Sequence, residues 1–416
     1  SGGTPGAGGT GGAGGGTPQA PAWDLTGIIG TGQSLSVGAE GRPGGGTQQR
    51  FKNLKLSLGS ASVPPFDPTS GALSLVPLVE PIRDYATTYP SAYPKNIYGE
   101  THHTAMADQV STLFQAAAGG DYVTVHTVVG ESGQGMNIIR KGATETVNGA
   151  TSTGRAYAAT LFEVAAIARL AAAAGNTYGV GAITITHGET DAGNPKYEEE
   201  LITLWSDYNE DLPKLTGQSQ SIPLLVTQQH SVPTEAGTRL TSTQAQWHVG
   251  VERPGDIVCS GPKYQYPYAP DHIHLNAKGY ELLGEKYGQV YFEKVVLGKD
   301  WQPLHPTRVE RSGRVVTVHF HVPVPPLVWD SALPAPHQTA YKSGSAAAVS
   351  SSAAARPGSR SAAWRSPATR SGSRAPRISP PPAWWSATRR PPTGRRWTAA
   401  PRAGASCATR IPSRAA

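Results

Sequence analysis

Cysteine is almost absent. Cys259 and Cys407 are the only two in 416 residues, which excludes a disulfide framework and a zinc site built from several thiolates. Charged residues are sparse as well, at 16% of the chain. No apolar run reaches the length that spans a bilayer, so no membrane-spanning segment is expected. A Walker-type phosphate loop, a dinucleotide fingerprint and a cluster of metal-ligating side chains are all missing, and the expectation is no cofactor and no metal. The chain starts at Ser1 without a methionine or a visible signal peptide, which fits a processed start.

Glycine and proline are plentiful, with 49 and 36 residues. Residues 1–22 form a Gly/Thr/Pro-rich stretch that cannot bury a core and is expected to act as a flexible linker. Such tethers suit a secreted or surface-tethered bacterial protein. At the other end, residues 341–416 are Ser, Ala, Arg, Pro and Gly with scattered Trp, and they hold 14 of the 36 basic residues and no acidic one. The remaining 340 residues therefore carry 22 basic and 29 acidic side chains. The basic balance belongs to the tail, and the part expected to fold is acidic. Nucleic-acid binding is expected only if that tail is genuine. Its abrupt onset and its GC-rich codon vocabulary suggest instead a frameshifted gene end near residue 342. Continuation of a strand pattern in another reading frame of the coding DNA would establish this.

Between the ends, strands alternate with helices. Strands are expected at Leu25–Gly30, Tyr122–Val129, Val180–Thr186, Leu224–Thr227 and Asp256–Cys259, and helices at Thr104–Ala118, Arg155–Ala174, Tyr197–Leu212 and Leu275–Leu297. A Tyr/Pro-rich loop runs from Phe51 to Tyr98. This alternation implies an α/β fold, a mainly parallel sheet with helices on both faces in a three-layer α/β/α sandwich. The core domain is expected over residues 23–299. From 300 to 340 a hairpin around Ser312-Gly313 opens a partial β-domain. His319 and His321 share a strand face there, and a solvent-facing pair is favoured over a metal site because no third ligand follows.

Three strand ends carry polar, glycine-bearing turns: "GTGQSLS", "VVGESGQGM" and "ITHGETDAG". In parallel sheets the chemistry sits beyond the C-terminal strand ends. Ser34, in the first turn, is placed for exposure as a nucleophile, with a cap on the next segment as the competing reading. Late in the chain, "DHIHLNAKGY" supplies Asp271 and His274. A carboxylate three residues before a histidine can reach the ring, fix its tautomer and leave the other nitrogen to face a hydroxyl. His272 reads as a bystander or a substrate contact.

The order of these blocks resembles the SGNH (GDSL-like) hydrolase superfamily, and within it the carbohydrate-esterase branch of sialate O-acetylesterases and acetylxylan esterases. Gly32-Gln33-Ser34 corresponds to that branch's nucleophile turn and Gly188-Glu189-Thr190-Asp191 to its Gly-Glu block. The likeness extends over residues 23 to 297. It implies Ser34 as nucleophile, His274 as base and Asp271 as third member. It also implies an oxyanion hole from the Ser34 and Gly133 N–H groups with a side-chain donor. His187 stands where the branch has glutamine and Thr190 where the wider superfamily has asparagine, so either is a candidate for that donor. Gln33, Glu189 and Asp191 are expected to support these turns, the two acids alternatively as turn and cap carboxylates.

The function expected on this basis is a serine esterase, a carboxylic ester hydrolase that removes acyl groups, acetyl above all, from a polysaccharide or glycan. The partner is the acylated glycan itself. The competing functions are an esterase on lipid or aryl esters and a non-catalytic carbohydrate-binding or adhesion module. The Ser34/Asp271/His274 set argues against a pure binder.

Overall fold

In a computed structural model of the chain, the described residues are 17–57, 66–82, 99–147, 150–153, 155–230, 241–313, 315–323 and 325–328, with two short strands at 354–355 and 361–365. Most of the Gly-rich leader, most of the Arg-rich tail and residues 58–65 and 83–98 of the Tyr/Pro-rich loop lie outside them.

The core is a seven-stranded sheet. Its strands are β1 (Leu25–Gly32), β2 (Leu54–Leu56), β3 (Leu75–Pro77), β4 (Thr124–Val128), β7 (Tyr178–Thr186), β8 (Leu224–Gln228) and β9 (Ile257–Pro262), ordered β3-β2-β4-β1-β7-β8-β9. All the pairings are parallel except β2 with β3, which is the antiparallel edge. A short antiparallel hairpin, β5 (Thr144–Val147) and β6 (Ala150–Thr153), stands outside this sheet. The central strands are buried along their whole length, which is why they read as near-continuous apolar or small-residue runs rather than alternating ones.

Helices cover both faces, and a single helical turn, α2 (Met136–Ile139), follows β4. Against one pack α3 (Arg155–Ala173), α4 (Tyr197–Thr216) and α5 (Thr241–Glu252), burying Phe162, Ile167, Leu201, Leu204, Tyr208 and Val249 on Ile29, Ile183 and Val226. Against the other pack α1 (His102–Ala118) and α6 (Ala277–Tyr291), burying Met106, Val110, Tyr280, Leu283 and Tyr287 on Ile28, Ala182 and Leu225. The three-layer α/β/α sandwich is thus the fold.

Several boundaries differ from expectation for local reasons. Helix α1 begins two residues early because the Thr101 side chain accepts the His103 N–H as an N-cap. Helix α6 begins two residues late because Asn276 caps it, taking the Gly279 N–H, and a π-helical turn, Phe292–Val296, follows it. Helix α4 runs through Pro213 to Thr216 and closes on Gly217 in the left-handed region. Helix α5 has no strong amphipathic period, and strands β2 and β3 are three residues each, so none was legible as a sequence pattern. One expectation needs correcting: the window Ala156–Ala173 of α3 is long and apolar enough to cross a membrane by length and composition. Half of it is buried, and Phe162, Val164 and Ile167 belong to the core, so its apolarity is that of a core helix.

Helices α1 and α6 cross closely. A Cβ at Gly284 would lie 2.2 Å from the His102 carbonyl oxygen, and one at Gly288 2.7 Å from the Gln109 Cβ. Gly284→Ala is therefore expected to push the helices apart and cost about 1–3 kcal/mol, as overpacking does. A melting temperature lower by several degrees, with unchanged far-UV circular dichroism, is the expected measurement.

Beyond the sandwich, β10 (His305–Ser312) and β11 (Val315–His321) form the expected antiparallel hairpin. Every residue of β11 is only half-buried, Val316, Val318 and Phe320 included. His319 pairs with Glu310 at 3.2 Å, and His321 Nε2 donates to the Gln302 carbonyl at 3.1 Å. The strands Ala354–Ala355 (β12) and Ser361–Arg365 (β13), which fall in the stretch expected to be low-complexity, extend this sheet beside β11.

Candidate active site

Strand β1 is the central strand, where the strand order reverses, and its C-terminal end is the position at which open α/β sheets place their chemistry. The strand ends at Gly32, whose φ of 132° suits only glycine, and a Cβ there would lie 2.3 Å from the Thr186 carbonyl oxygen of β7. The chain then turns into one turn of 3-10 helix, Ser34–Ser36. That turn is fixed by the Ser36 N–H and Oγ, both donating to the Gln33 carbonyl at 2.8 and 2.6 Å. Ser34 is thus held at the strand end rather than capping a long helix.

His274 reaches this serine from 240 residues away. Its Nε2 lies 2.7 Å from Ser34 Oγ, and its Nδ1 lies 2.6 Å from Asp271 Oδ2. Asp271 Oδ1 also accepts the backbone N–H groups of Ile273 and His274, each at 3.0 Å. Partial burial of Asp271 opposes its charge, yet the bonds from the His274 ring and these two N–H groups hold its carboxyl below the ordinary range. An ionised acceptor at Nδ1 puts the ring proton there, leaving Nε2 as the acceptor facing Ser34. His272 lies in the same loop in a left-handed conformation, and among the described residues no side-chain hydrogen bond joins it to Ser34 or Asp271.

The second and third turns converge on the same spot. The Glu131 N–H donates to the Gly32 carbonyl at 2.9 Å, bringing the "ESGQG" loop against the end of β1. Gly133 sits in it at φ 74° with open space beside it. The Thr190 N–H donates to Gln33 Oε1 at 3.2 Å, and Thr190 Oγ1 donates to the Gly133 carbonyl at 3.4 Å. Ser34, Gln33, Gly133 and Thr190 therefore form one cluster.

His187 does not join it. The residue is fully buried, its Nε2 donates to the Gln134 carbonyl at 3.0 Å, and its Nδ1 accepts the Tyr197 hydroxyl at 2.9 Å. With both nitrogens engaged inward, His187 has no proton to offer beside Ser34, whereas Thr190 lies at the cluster with its N–H on Gln33 and its Oγ1 on the Gly133 carbonyl. Burial lowers its pKa, against the smaller pull of Asp191, which keeps the ring neutral.

The two acids of that block also part ways. Asp191 Oδ2 accepts the Met136 N–H at 2.7 Å, which ties the third turn to the second. Glu189 is neither a turn nor a cap carboxylate. It forms an ion pair with Lys263, whose side chain is completely buried. Lys263 was not singled out in the sequence. A lone lysine in "GPKYQYPY" carries no motif, and only the fold brings it to Glu189.

No protein-family model matches the sequence, and no curated protein matches it. Among solved structures the chain is similar to a protein from Arabidopsis thaliana, at 14% identity and a TM-score of 0.47 over 65% of this chain and 98% of that one. It is also similar to a carbohydrate acetylesterase from Xanthomonas citri, at 13% identity and a TM-score of 0.43 over 72% of this chain and 62% of that one. A third, NanS, matches at 11% identity and a TM-score of 0.40 over 64% of this chain and 96% of that one. Similarity this distant assigns no chemistry, which rests on the hydrogen-bonded side chains described above.

Proposed function

We propose that this protein is a serine esterase that removes acyl groups, acetyl above all, from a polysaccharide or glycan outside the cell. The observation that carries this reading is the unbroken series Asp271–His274–Ser34, with bonds of 2.6 and 2.7 Å, at the C-terminal end of the central strand. Ser34 Oγ attacks the ester carbonyl while His274 Nε2 takes its proton. The imidazolium so formed is stabilised by Asp271 and gives the proton to the departing sugar oxygen, which leaves as a hydroxyl. Water then repeats the sequence on the acyl-enzyme, regenerating Ser34 and releasing the carboxylic acid. The tetrahedral oxyanion is taken by the backbone N–H groups of Ser34 and Gly133, with Thr190 beside them.

Gln33 fixes this pocket by holding the Thr190 N–H. Gln33→Ala is expected to lower kcat roughly 10- to 100-fold, because an oxyanion pocket misplaced by a fraction of an ångström loses much of its effect. The KM for a small ester should change little.

Hydrolysis of 4-nitrophenyl acetate, compared with the butyrate ester and with acetylated xylan, tests the proposal. Preference for acetate and acetic acid release from the polymer are the expected outcomes. Faster turnover of the butyrate would favour lipid or aryl esters as substrates, and inactivity towards all three would overturn the esterase reading.

A further inference from the structure

Lys263 is completely buried, one of the largest side chains to be so, and it lies at the end of β9 where the chain enters a single 3-10 turn. Its Nζ donates to Glu189 Oε1, and Glu189 is itself 7% exposed at the side chain. Burial works against the charge of Glu189, but the ammonium alongside brings its carboxyl below the ordinary range, so the pair is ionic. Buried ion pairs are poor stabilisers, because desolvation consumes most of the attraction. One retained a single residue from the Thr190 cluster therefore calls for a role other than stability.

Its connections supply that role. On the Glu189 side, the next residue, Thr190, holds Gln33 and Gly133 through the bonds given above. The Gly188 carbonyl accepts Ser242 Oγ at 2.8 Å, which anchors the base of the loop. On the Lys263 side, the Lys263 carbonyl accepts the Tyr266 N–H at 3.0 Å and the Tyr268 hydroxyl at 3.3 Å. Tyr268 bridges Leu275, and the Ala269 N–H donates to the His274 carbonyl at 2.8 Å. The Tyr268 hydroxyl also bonds His230 Nδ1 at the end of β8. The ion pair is thus the direct link between the turn that shapes the oxyanion side and the segment that pairs with the base-bearing loop.

We propose that Lys263 is a positioning residue for the Asp271–His274 loop, acting through its ion pair with Glu189 to fix the distance between the base and the Gln33/Thr190 cluster. The role rests on the esterase reading. It differs from a structural one in what it affects: the pair sets the geometry of a reacting assembly in which a misplacement of about 1 Å costs on the order of 10²-fold in rate.

The test is the double variant Lys263→Met/Glu189→Gln, which keeps the shape and removes both charges. Its folded fraction is read by near-UV circular dichroism and its kinetics with 4-nitrophenyl acetate. The expected result is a melting temperature close to that of the parent, a kcat about 10- to 100-fold lower per folded molecule, and a KM within about threefold. A folded double variant with kcat within twofold of the parent would overturn the proposal. Where the double variant does not fold, Glu189→Asp keeps both charges and shortens the tether by one methylene: lower kcat at an unchanged folded fraction supports positioning, and unchanged kcat overturns it. Failure of the underlying esterase reading looks different, since the parent would then be inactive, or Ser34→Ala would be as active as the parent.

Discussion

Ser34→Ala is expected to abolish turnover while leaving the fold intact, with a fall in kcat on the order of 10⁵- to 10⁶-fold. The hydroxyl is small, sits in a turn held by backbone bonds from Ser36, Val37 and Ala39, and among the described residues contributes its bond to His274, so its loss does not disturb the sheet. Asp271→Asn is expected to cost about 10⁴-fold, because an amide leaves the His274 tautomer unfixed and the imidazolium without a counter-charge. His272→Ala is the control. It lies on the same loop, but the ring bonded to Ser34 and Asp271 is that of His274, and the activity of the His272 variant should stay within a fewfold of the parent. Single-turnover release of 4-nitrophenol at matched folded protein separates these outcomes. A Ser34→Ala protein with ordinary turnover, or a His272→Ala loss as deep as that of His274→Ala, would refute the assignment.

The second large effect is on stability in acid. Beneath the nucleophile strand, His102, His103 and His126 are fully buried together. His103 and His126 bond through their Nδ1 atoms at 2.9 Å, His126 Nε2 meets Thr124 Oγ1 and His102 Nε2 meets Thr184 Oγ1, each at 2.9 Å. The His102 Nδ1 and His103 Nε2 atoms find no hydrogen-bond partner among the described residues. A Cβ at Gly30 would lie 1.9 Å from His103 Nε2, so the ring packs directly on β1. Burial lowers the pKa of His102 and of His126 to about 3 and that of His103 well below the ordinary value, and the last is lowered further by its neighbouring rings. The positive end of α1 adds to this disfavour.

The sign follows from proton uptake. Unfolded histidines protonate below about pH 6.5, whereas in the folded state His102 and His126 stay neutral until about pH 3 and His103 is likewise held neutral well below its ordinary range, so the unfolded state binds more protons and stability falls as pH falls. Four acids oppose the trend: Asp108 and Asp207, raised chiefly by partial burial, and the glutamates Glu80 and Glu100. Burial raises Glu80 above its ordinary range, against its bonds from Thr101, Thr104 and Ile82. Burial, and then the charge of Glu80, raises Glu100 to about 7. Both bind protons in the folded state first, and they offset part of the loss above about pH 4.5, where ordinary glutamates begin to protonate in the unfolded chain. Below that the two glutamates no longer oppose the three histidines, Asp108 and Asp207 cease to do so once ordinary aspartates protonate near pH 3.8, and the histidine contribution is roughly 4 kcal/mol per pH unit. His187 and His230, both lowered chiefly by burial, add to the same side.

Against a typical stability of about 5–15 kcal/mol, acid unfolding is expected between about pH 3.5 and 4.5. Urea midpoints measured from pH 7 to pH 4 should fall, most steeply at the acid end. His126→Gln should lose stability at pH 7 but show a shallower slope, by about 1.4 kcal/mol per pH unit. A midpoint constant across this range would contradict the buried-histidine account.

The sequence by itself determined the layer order and three of the turns that matter. Strands buried on both faces must be apolar throughout, and helices packed on them must carry an apolar stripe, so "VGAITIT" and the Leu201/Leu204/Tyr208 spacing were legible as local patterns. Asp271 and His274 were legible as a pair because three residues of loop bring them together, and a contact that short in sequence leaves a motif. The bond from His274 to Ser34 spans 240 residues, and only the sheet places them 2.7 Å apart. The tertiary structure also set His187 apart from Thr190. Position in the block fitted both, but the Tyr197 hydroxyl and the Gln134 carbonyl take the ring of His187 inward, and neither partner lies within the motif. Lys263 and the three buried histidines belong to the same class. A side chain's partners in a buried polar cluster come from distant strands and helices, and the cost of burying it without them enforces contacts that no local pattern records.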